Sequence, residues 1–220
     1  VRRSIFCVIM GCEDYEDCFE KLVRADLLKN RVERDTVRVL MECCGNEKSY
    51  NKFYSHLAAR ICEFQPQSKF TFQLAFWDMF KQFDEMKTRK AANLAKLLFS
   101  LVIAPNCLKL NLLKPIDMAA PEDLSENATI FLTIFLSSVL EHFDDPADIR
   151  RLFESLAKGQ SSKAKIDDGT ESLEDTDALQ ASLTVFLVQI MKSSPKYKKG
   201  SRFRTNLKTA IKACDTGDLV

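Results

Sequence analysis

Hydrophobic residues recur at helical spacing along most of the chain, and short polar or proline-containing breaks separate the stretches. Between Val37 and Phe83 the apolar positions repeat every three or four residues, which predicts three successive amphipathic helices. Gly45 is expected to end the first of them in a left-handed conformation, and Pro66 to block the second. The third has an aromatic stripe of five rings: Phe72, Phe76, Trp77, Phe80 and Phe83. No single helix of this kind can bury its stripe alone, so the pattern predicts helices that stack on one another.

Similar stripes predict helices on both sides of this region. Two precede it, one over about residues 2–10 and one that follows Asp14, and another begins near Thr88 and stops before Pro105. Together they give three antiparallel hairpins of about forty residues each, which is the spacing of a HEAT-like right-handed stack. The predicted fold class is therefore all-α.

The second half of the chain has weaker signals. Residues 118–123 are expected to separate a helical-repeat domain at 1–117 from a C-terminal helical extension at 118–220 that packs on it. The extension begins with a long apolar helix from Leu124 to Phe143, and further helices follow from Pro146 onward. Residues 159–175 are rich in Gly, Ser, Lys and Asp and are expected to form a mobile loop.

Composition adds little about partners. The 220 residues include 32 Lys and Arg against 31 Asp and Glu, and 46% are hydrophobic, which is typical of a soluble helical protein. There are eight cysteines, without a CxxC pair or a histidine at ligand spacing. They are predicted to be reduced, buried thiols in a reducing compartment. Six of them lie in predicted helices: Cys7, Cys12, Cys18, Cys43, Cys44 and Cys62.

Motifs of the common enzyme classes are missing from the sequence. It contains no phosphate-binding glycine loop, no HExxH, no nucleophile elbow and no zinc-ligand spacing. The two histidines, His56 and His142, are expected to have structural roles. The longest apolar run, residues 128–140, is too short to cross a bilayer, and no signal peptide is visible. We therefore predict a non-enzymatic protein without cofactor, metal, membrane or small-molecule substrate, and expect the chain to be part of a longer protein.

Charged residues cluster in two places. The predicted acidic edge combines residues near the starts of the second and third helices: Glu13, Asp14, Glu16, Asp17, Glu33 and Asp35. It serves either as helix capping or as a partner-binding site.

The basic surface lies in the last helix and the residues before it, with Tyr197 and Phe203 interleaved. It serves either as a solvated helix face or as a contact for RNA phosphates. In the second case it would recognise the backbone and shape of the RNA. Its residues are Lys196, Lys198, Lys199, Arg202, Arg204, Lys208 and Lys212.

Residues 42–54, followed by Leu57, Ala58 and Cys62, resemble the central signature of the MA-3 domain. The version that they resemble most is that of the suppressor-of-glycerol-defect family, nucleolar proteins that pair an MA-3 domain with a middle domain of the initiation-factor-4G type. Residues 2–6 and 13–22 fit the start of that domain, and residues 70–78 fit its fifth helix. The resemblance covers about the first half of the chain and is thin after about Met118.

The resemblance implies a scaffold that acts with a DEAD-box RNA helicase in early small-subunit ribosome assembly and 18S rRNA processing in the nucleolus. Its implied partners are pre-ribosomal proteins and pre-rRNA. Other MA-3 domains bind a helicase of the initiation-factor-4A type through acidic residues near this edge. Asp35 falls closest to such a position, with Glu33 nearby, although in the nucleolar family the main helicase contact is expected from the upstream middle domain. Two alternatives stay open: a spliceosomal helicase-binding factor of the same build, and an autonomous RNA-binding helical module.

Overall fold

The computed structural model describes residues 1–29, 31–157 and 173–215. These residues form ten α-helices and three short 3-10 segments, and none of them lies in a β-strand, so the all-α prediction is confirmed. No helix in the described part is long and apolar enough to span a membrane. The helices are α1 (Arg2–Met10), α2 (Tyr15–Arg24), α3 (Val32–Asn46), α4 (Lys52–Phe64), α5 (Ser68–Phe80), α6 (Thr88–Ile103), α7 (Glu126–His142), α8 (Pro146–Ala157), α9 (Leu173–Gln189) and α10 (Arg202–Cys214).

The chain divides into two compact units. The first contains Val1–Lys109 and Glu126–Phe135, and the second contains Leu110–Ser125 and Leu136–Val220. The division lies near the predicted boundary at residue 118, but it places the start of α7 in the first unit. The reason is visible in the ring of Phe131, which packs edge to face on Phe80 at 5.5 Å between centroids.

In the first unit, helices pack in two rows, as a HEAT-like stack requires. α1 packs on α3 and α3 on α5, while α2 packs on α4 and α4 on α6. α1 and α3 run parallel, since Arg2 at the start of α1 pairs with Asp35 in the first turn of α3, with 2.8 Å between Nε and Oδ1. α3 is the central element and contacts α1, α4, α5 and α6.

The aromatic stripe of α5 is buried, as the sequence predicts. Phe72 and Phe76 have no exposed surface, and Phe80 and Phe83 are almost fully buried. Phe83 lies just beyond the end of the helix, and its ring stacks on that of Phe80 at 5.5 Å. Trp77 is only half-buried, because it lies at the border of the stripe.

The prediction for Gly45 is wrong. α3 continues through Gly45 to Asn46, and the residue does not adopt a positive φ. A Cβ atom built on Gly45 would lie 2.7 Å from Cγ of Lys90 in the first turn of α6. Glycine therefore leaves room here for the side chain of Lys90, which packs against α3. Pro66, by contrast, acts as predicted, because α4 ends at Phe64.

Three asparagines bind the ends of preceding elements in the same way. In each case the Nδ2 amide donates to two backbone carbonyls that lie three residues apart. The bonded carbonyls lie at or just beyond the ends of α3, α5 and α7, where backbone acceptors lack the regular partners of a continuing helix. The acceptors are Cys44 and Glu47 for Asn93, Phe83 and Met86 for Asn127, and Leu140 and Phe143 for Asn206, at distances of 2.8–3.2 Å.

The second unit has its own core. α10 packs on α8 and α9, and the rings of Phe153 and Phe186 are fully buried. The predicted loop at 159–175 lies outside the described residues as far as residue 172. α9 begins at Leu173, inside the range predicted for that loop.

All eight cysteines are free. Cys18, Cys43, Cys44, Cys62 and Cys214 are buried, as predicted. Burial raises the pKa of the Cys44 thiol to about 12, so this group stays protonated at neutral pH and serves as a small apolar side chain.

Three cysteines differ from the prediction of buried thiols, and one of them is Cys107, which is half-buried after the end of α6. Cys7 is exposed on the outer face of α1. Cys12 is half-buried and lies after the end of that helix. The stripe of α1 runs through Ile5 and Ile9, and Cys7 falls midway between them on the opposite face.

Candidate partner-binding surfaces

The residues with catalytic potential are dispersed. Within the residues described, no group of three His, Cys, Asp or Glu side chains is placed to hold a metal ion. His56 is exposed, and its ring packs on Tyr15 at 5.2 Å. His142 is exposed at the end of α7, and its ring meets the edge of Phe143 at 4.8 Å. The candidate sites are therefore the charged surfaces.

Asp14 caps α2. Its Oδ1 accepts hydrogen bonds from the backbone N–H groups of Glu16 at 2.9 Å and Asp17 at 2.8 Å. Asp17 in turn accepts a 2.6 Å bond from Lys21, which lowers the pKa of the Asp17 carboxyl. Glu13 and Glu16 are exposed beside this cap. The start of α2 thus combines capping with an accessible negative surface.

Asp35 and Glu33 lie in very different settings. Asp35 keeps 31% of its side-chain surface exposed and pairs with Arg2. Glu33 is only 5% exposed, and its Oε1 is buried without a hydrogen-bond partner in the described structure. The prediction that Glu33 lies on a binding surface is therefore wrong. α3 begins at Val32, so Glu33 falls on the helix face that also buries Thr36 and Val37.

The two acidic sets also fail to form one edge. Asp14 follows the end of α1, whereas Asp35 contacts Arg2 at the start of α1. α1 has nine residues and is about 14 Å long, so the two sets lie at opposite ends of it. The predicted edge assumed that two helix N-termini meet. α1 and α2 are antiparallel while α1 and α3 are parallel, so the N-termini of α2 and α3 point in opposite directions.

The basic surface is partly neutralised by acidic residues from the end of α7. Lys196 Nζ lies 2.7 Å from an oxygen of Glu141, and Arg202 pairs with Asp144. The Arg204 guanidinium lies over the ring of Tyr197, 5.1 Å from its centroid. These acidic partners are more than fifty residues away in sequence, so no local pattern could reveal them.

The remaining cations of this surface are accessible. The exposed members without an ion pair in the described structure are Lys198, Lys199, Lys208 and Lys212. Two belong to the segment before α10 and two to the helix itself. The basic surface is thus smaller than the sequence predicts.

Comparison with known proteins identifies the first unit. Residues 1–107 match the MA3 domain family. The chain is 38% identical over 140 residues to Nucleolar MIF4G domain-containing protein 1 of Homo sapiens, which covers 64% of this chain and 16% of that protein. It is 31% identical over 175 residues to Suppressor of glycerol defect protein 1 of Schizosaccharomyces pombe, covering 76% of this chain and 22% of that protein.

A second group of relatives is more distant. The chain is 25% identical over 145 residues to the Pre-mRNA-splicing factor CWC22 homolog of Homo sapiens, covering 66% of this chain and 16% of that protein. The chain spans less than a quarter of the length of all three relatives. It therefore contains an MA3 domain in residues 1–107 and is a homologue of the nucleolar MIF4G domain-containing and suppressor-of-glycerol-defect proteins, as the resemblance in residues 42–54 predicts.

Proposed function

We propose that the chain is a non-enzymatic interaction module of a nucleolar ribosome-biogenesis factor that acts in early small-subunit rRNA processing and assembly. The observation that supports this most is the difference in identity between the two groups of relatives. Those named for the nucleolus or for glycerol-defect suppression reach 38% and 31%, whereas the splicing factor reaches 25%. The helical stack then works as a rigid support whose helix ends and outer faces bind partners.

Purification of the tagged full-length protein tests this proposal against the spliceosomal alternative. Precursors of 18S rRNA are expected among the RNAs that co-purify with it. Spliceosomal small nuclear RNAs, with no enrichment of the rRNA precursors, would contradict the proposal. Ultraviolet cross-linking in the same preparation tests RNA contact by this chain.

Pre-rRNA is a proposed direct partner of the basic surface. Lys198, Lys199, Lys208 and Lys212 have accessible ammonium groups that can neutralise phosphates without reading base sequence. Cross-links are then expected within residues 198–212. The autonomous RNA-binding alternative receives less support, because Lys196 and Arg202 are already paired with Glu141 and Asp144.

A DEAD-box helicase of the initiation-factor-4A type is the second proposed partner, and we propose that its main contact is a middle domain outside these 220 residues. Of the acidic residues, Asp35 is the accessible carboxylate at the start of α3, and the set around Asp14 is a separate contact at the other end of α1. Glu33 contributes no surface charge, because it is buried.

Charge reversal at Asp35 is expected to weaken helicase binding about three- to tenfold, since an ion pair at an interface rim contributes about 1 kcal/mol. Binding is measured as retention of the purified helicase on the immobilised full-length protein. Glu122→Lys, an exposed reversal in the second unit, is the matched control and should bind normally. The double variant Arg2→Asp/Asp35→Arg restores the internal ion pair with opposite polarity. If it recovers full binding, Asp35 acts only through Arg2 and does not contact the helicase.

A further inference from the structure

An apolar groove of about 560 Å³ lies between the parallel helices α1 and α3. α1 contributes Phe6 and Met10 to its lining, and α3 contributes Val39 and Cys43. Each pair is spaced by four residues, so each presents two side chains one helical turn apart. Phe6 is 49% exposed and Met10 is 52% exposed, although large apolar side chains of this chain are mostly buried. Concave apolar surface of this kind is typical of a binding site.

The two ends of the groove carry opposite charge. Arg2 and Arg3 lie where α1 begins, and Glu42 and Glu47 lie towards the end of α3. Asp35 pairs with Arg2 at 2.8 Å and Lys90 pairs with Glu42 at 2.7 Å, so Arg3 and Glu47 supply the net charge of the two ends. Because α1 and α3 are parallel, the cations and the carboxylates are separated along the length of the groove. The positive ends of the two helix dipoles lie at the arginine end, which increases the difference in electrostatic potential between the two ends of the groove.

The dimensions fit a helix. α1 is about 14 Å long, which equals between two and three turns of a partner helix. The apolar stripe of an amphipathic helix repeats every three or four residues, which matches the spacing of the groove residues. A second copy of this chain is a poor occupant, because a stable dimer buries about 800 Å² on each partner. The described part of the chain exposes only Val1, Phe6 and Met10 as large apolar side chains at α1.

We propose that the groove between α1 and α3 binds an amphipathic helix of a partner protein, with acidic residues in its first turn at Arg2 and Arg3 and basic residues in its last turn at Glu42 and Glu47. Two large apolar side chains of that helix pack between Phe6 and Met10 on one side and Val39 on the other. The acidic start and basic end also stabilise the helix itself, because they oppose its own dipole. This surface is separate from Asp14, and it reaches Asp35 only through Arg2.

Designed peptides test the proposal with the whole chain. The probe is a fluorescein-labelled helix of roughly 14 residues, or four turns, with a leucine stripe, glutamates in the first turn and lysines in the last. A second peptide exchanges the glutamates and lysines, and a third has the same composition in scrambled order. Fluorescence anisotropy should give micromolar affinity for the first peptide, at least threefold weaker binding for the second, and none for the third.

Substitutions in the groove localise the binding. Phe6→Glu and Met10→Glu should each weaken binding of the first peptide more than tenfold, because each places a charge on the apolar lining. Phe70→Glu is the matched control: Phe70 is 59% exposed on α5, away from the groove lining, and its replacement should leave binding unchanged. All three residues are exposed, so the variants should keep the wild-type melting temperature.

Four results would overturn the proposal. They are no binding of the first peptide, equal binding of the scrambled peptide, equal binding of the charge-exchanged peptide, and binding that neither groove substitution reduces. A concentration-dependent dimer in sedimentation analysis that Phe6→Glu abolishes would assign the groove to a second copy of the chain.

Discussion

Replacement of Phe76 by alanine is expected to lower the free energy of unfolding by about 3–5 kcal/mol. Phe76 has no exposed surface, and its ring lies 6.3 Å from that of Phe80, which in turn packs on Phe131. The change removes a ring from a region that is filled from several elements, so a cavity remains. Because domains are stable by only about 5–15 kcal/mol, a large part of the stability of the first unit would be lost.

Urea unfolding measures this effect. Trp77, the single tryptophan, lies next to Phe76 on α5, so its fluorescence follows unfolding of the first unit even if the second unit unfolds separately. Phe70→Ala is the control, since Phe70 is 59% exposed on the same helix and its loss should cost less than about 0.5 kcal/mol. Similar values for the two variants would mean that the aromatic face of α5 is not packed as described.

The burial of this stripe could be predicted because it depends on local periodicity. Phe72 and Phe76 are four residues apart, and a helix places such residues on one face whatever surrounds it. The same periodicity contained information that the acidic-edge prediction did not use. Glu33 lies three residues before Thr36 and four before Val37, which puts it on the buried face once α3 begins at Val32. Which face of α3 Glu33 occupies depends on where the helix starts, and helix boundaries are the least certain part of a prediction from sequence.

Contacts between distant segments could not be predicted. Gly45 follows an apolar stripe and so has the pattern of a helix-ending glycine, but the helix continues and the glycine makes room for Lys90. Nothing near Gly45 in the sequence distinguishes these two roles. The net charge of the basic surface could not be predicted for the same reason, because Glu141 and Asp144 reach it only through tertiary packing. Charge counted along one helix therefore overestimates the charge of the folded surface.

Loss of the Asn206 side chain is expected to have the second large effect. Its Nδ2 group donates 2.8 Å hydrogen bonds to the carbonyls of Leu140 and Phe143, and the residue is fully buried. Asn206→Leu keeps a similar volume but leaves two carbonyls without these bonds. Each unsatisfied buried polar group costs about 1–3 kcal/mol, and the change also removes the Oδ1 of Asn206, which is buried without a hydrogen-bond partner in the described structure. The variant should therefore lose about 2–4 kcal/mol, measured by urea unfolding followed by circular dichroism.

A second variant at the same position distinguishes the effect of losing the hydrogen bonds from the effect of changing the side-chain shape. Asn206→Asp keeps the shape, but at neutral pH it places a carboxylate against two carbonyl oxygens, so it should destabilise more than Asn206→Leu. Burial raises the folded-state pKa of such a carboxyl above its unfolded value of about 3.9, so the protonated form, which can donate one bond, is favoured in the folded state. The stability difference from the wild type should therefore shrink as pH falls from 7 towards 4, and grow again as pH rises.

Thr205→Ala, an exposed change beside Asn206 on α10, should be nearly neutral at every pH. If Asn206→Asp showed the same pH-independent cost as Asn206→Leu, the two carbonyls would not be the groups that this side chain satisfies.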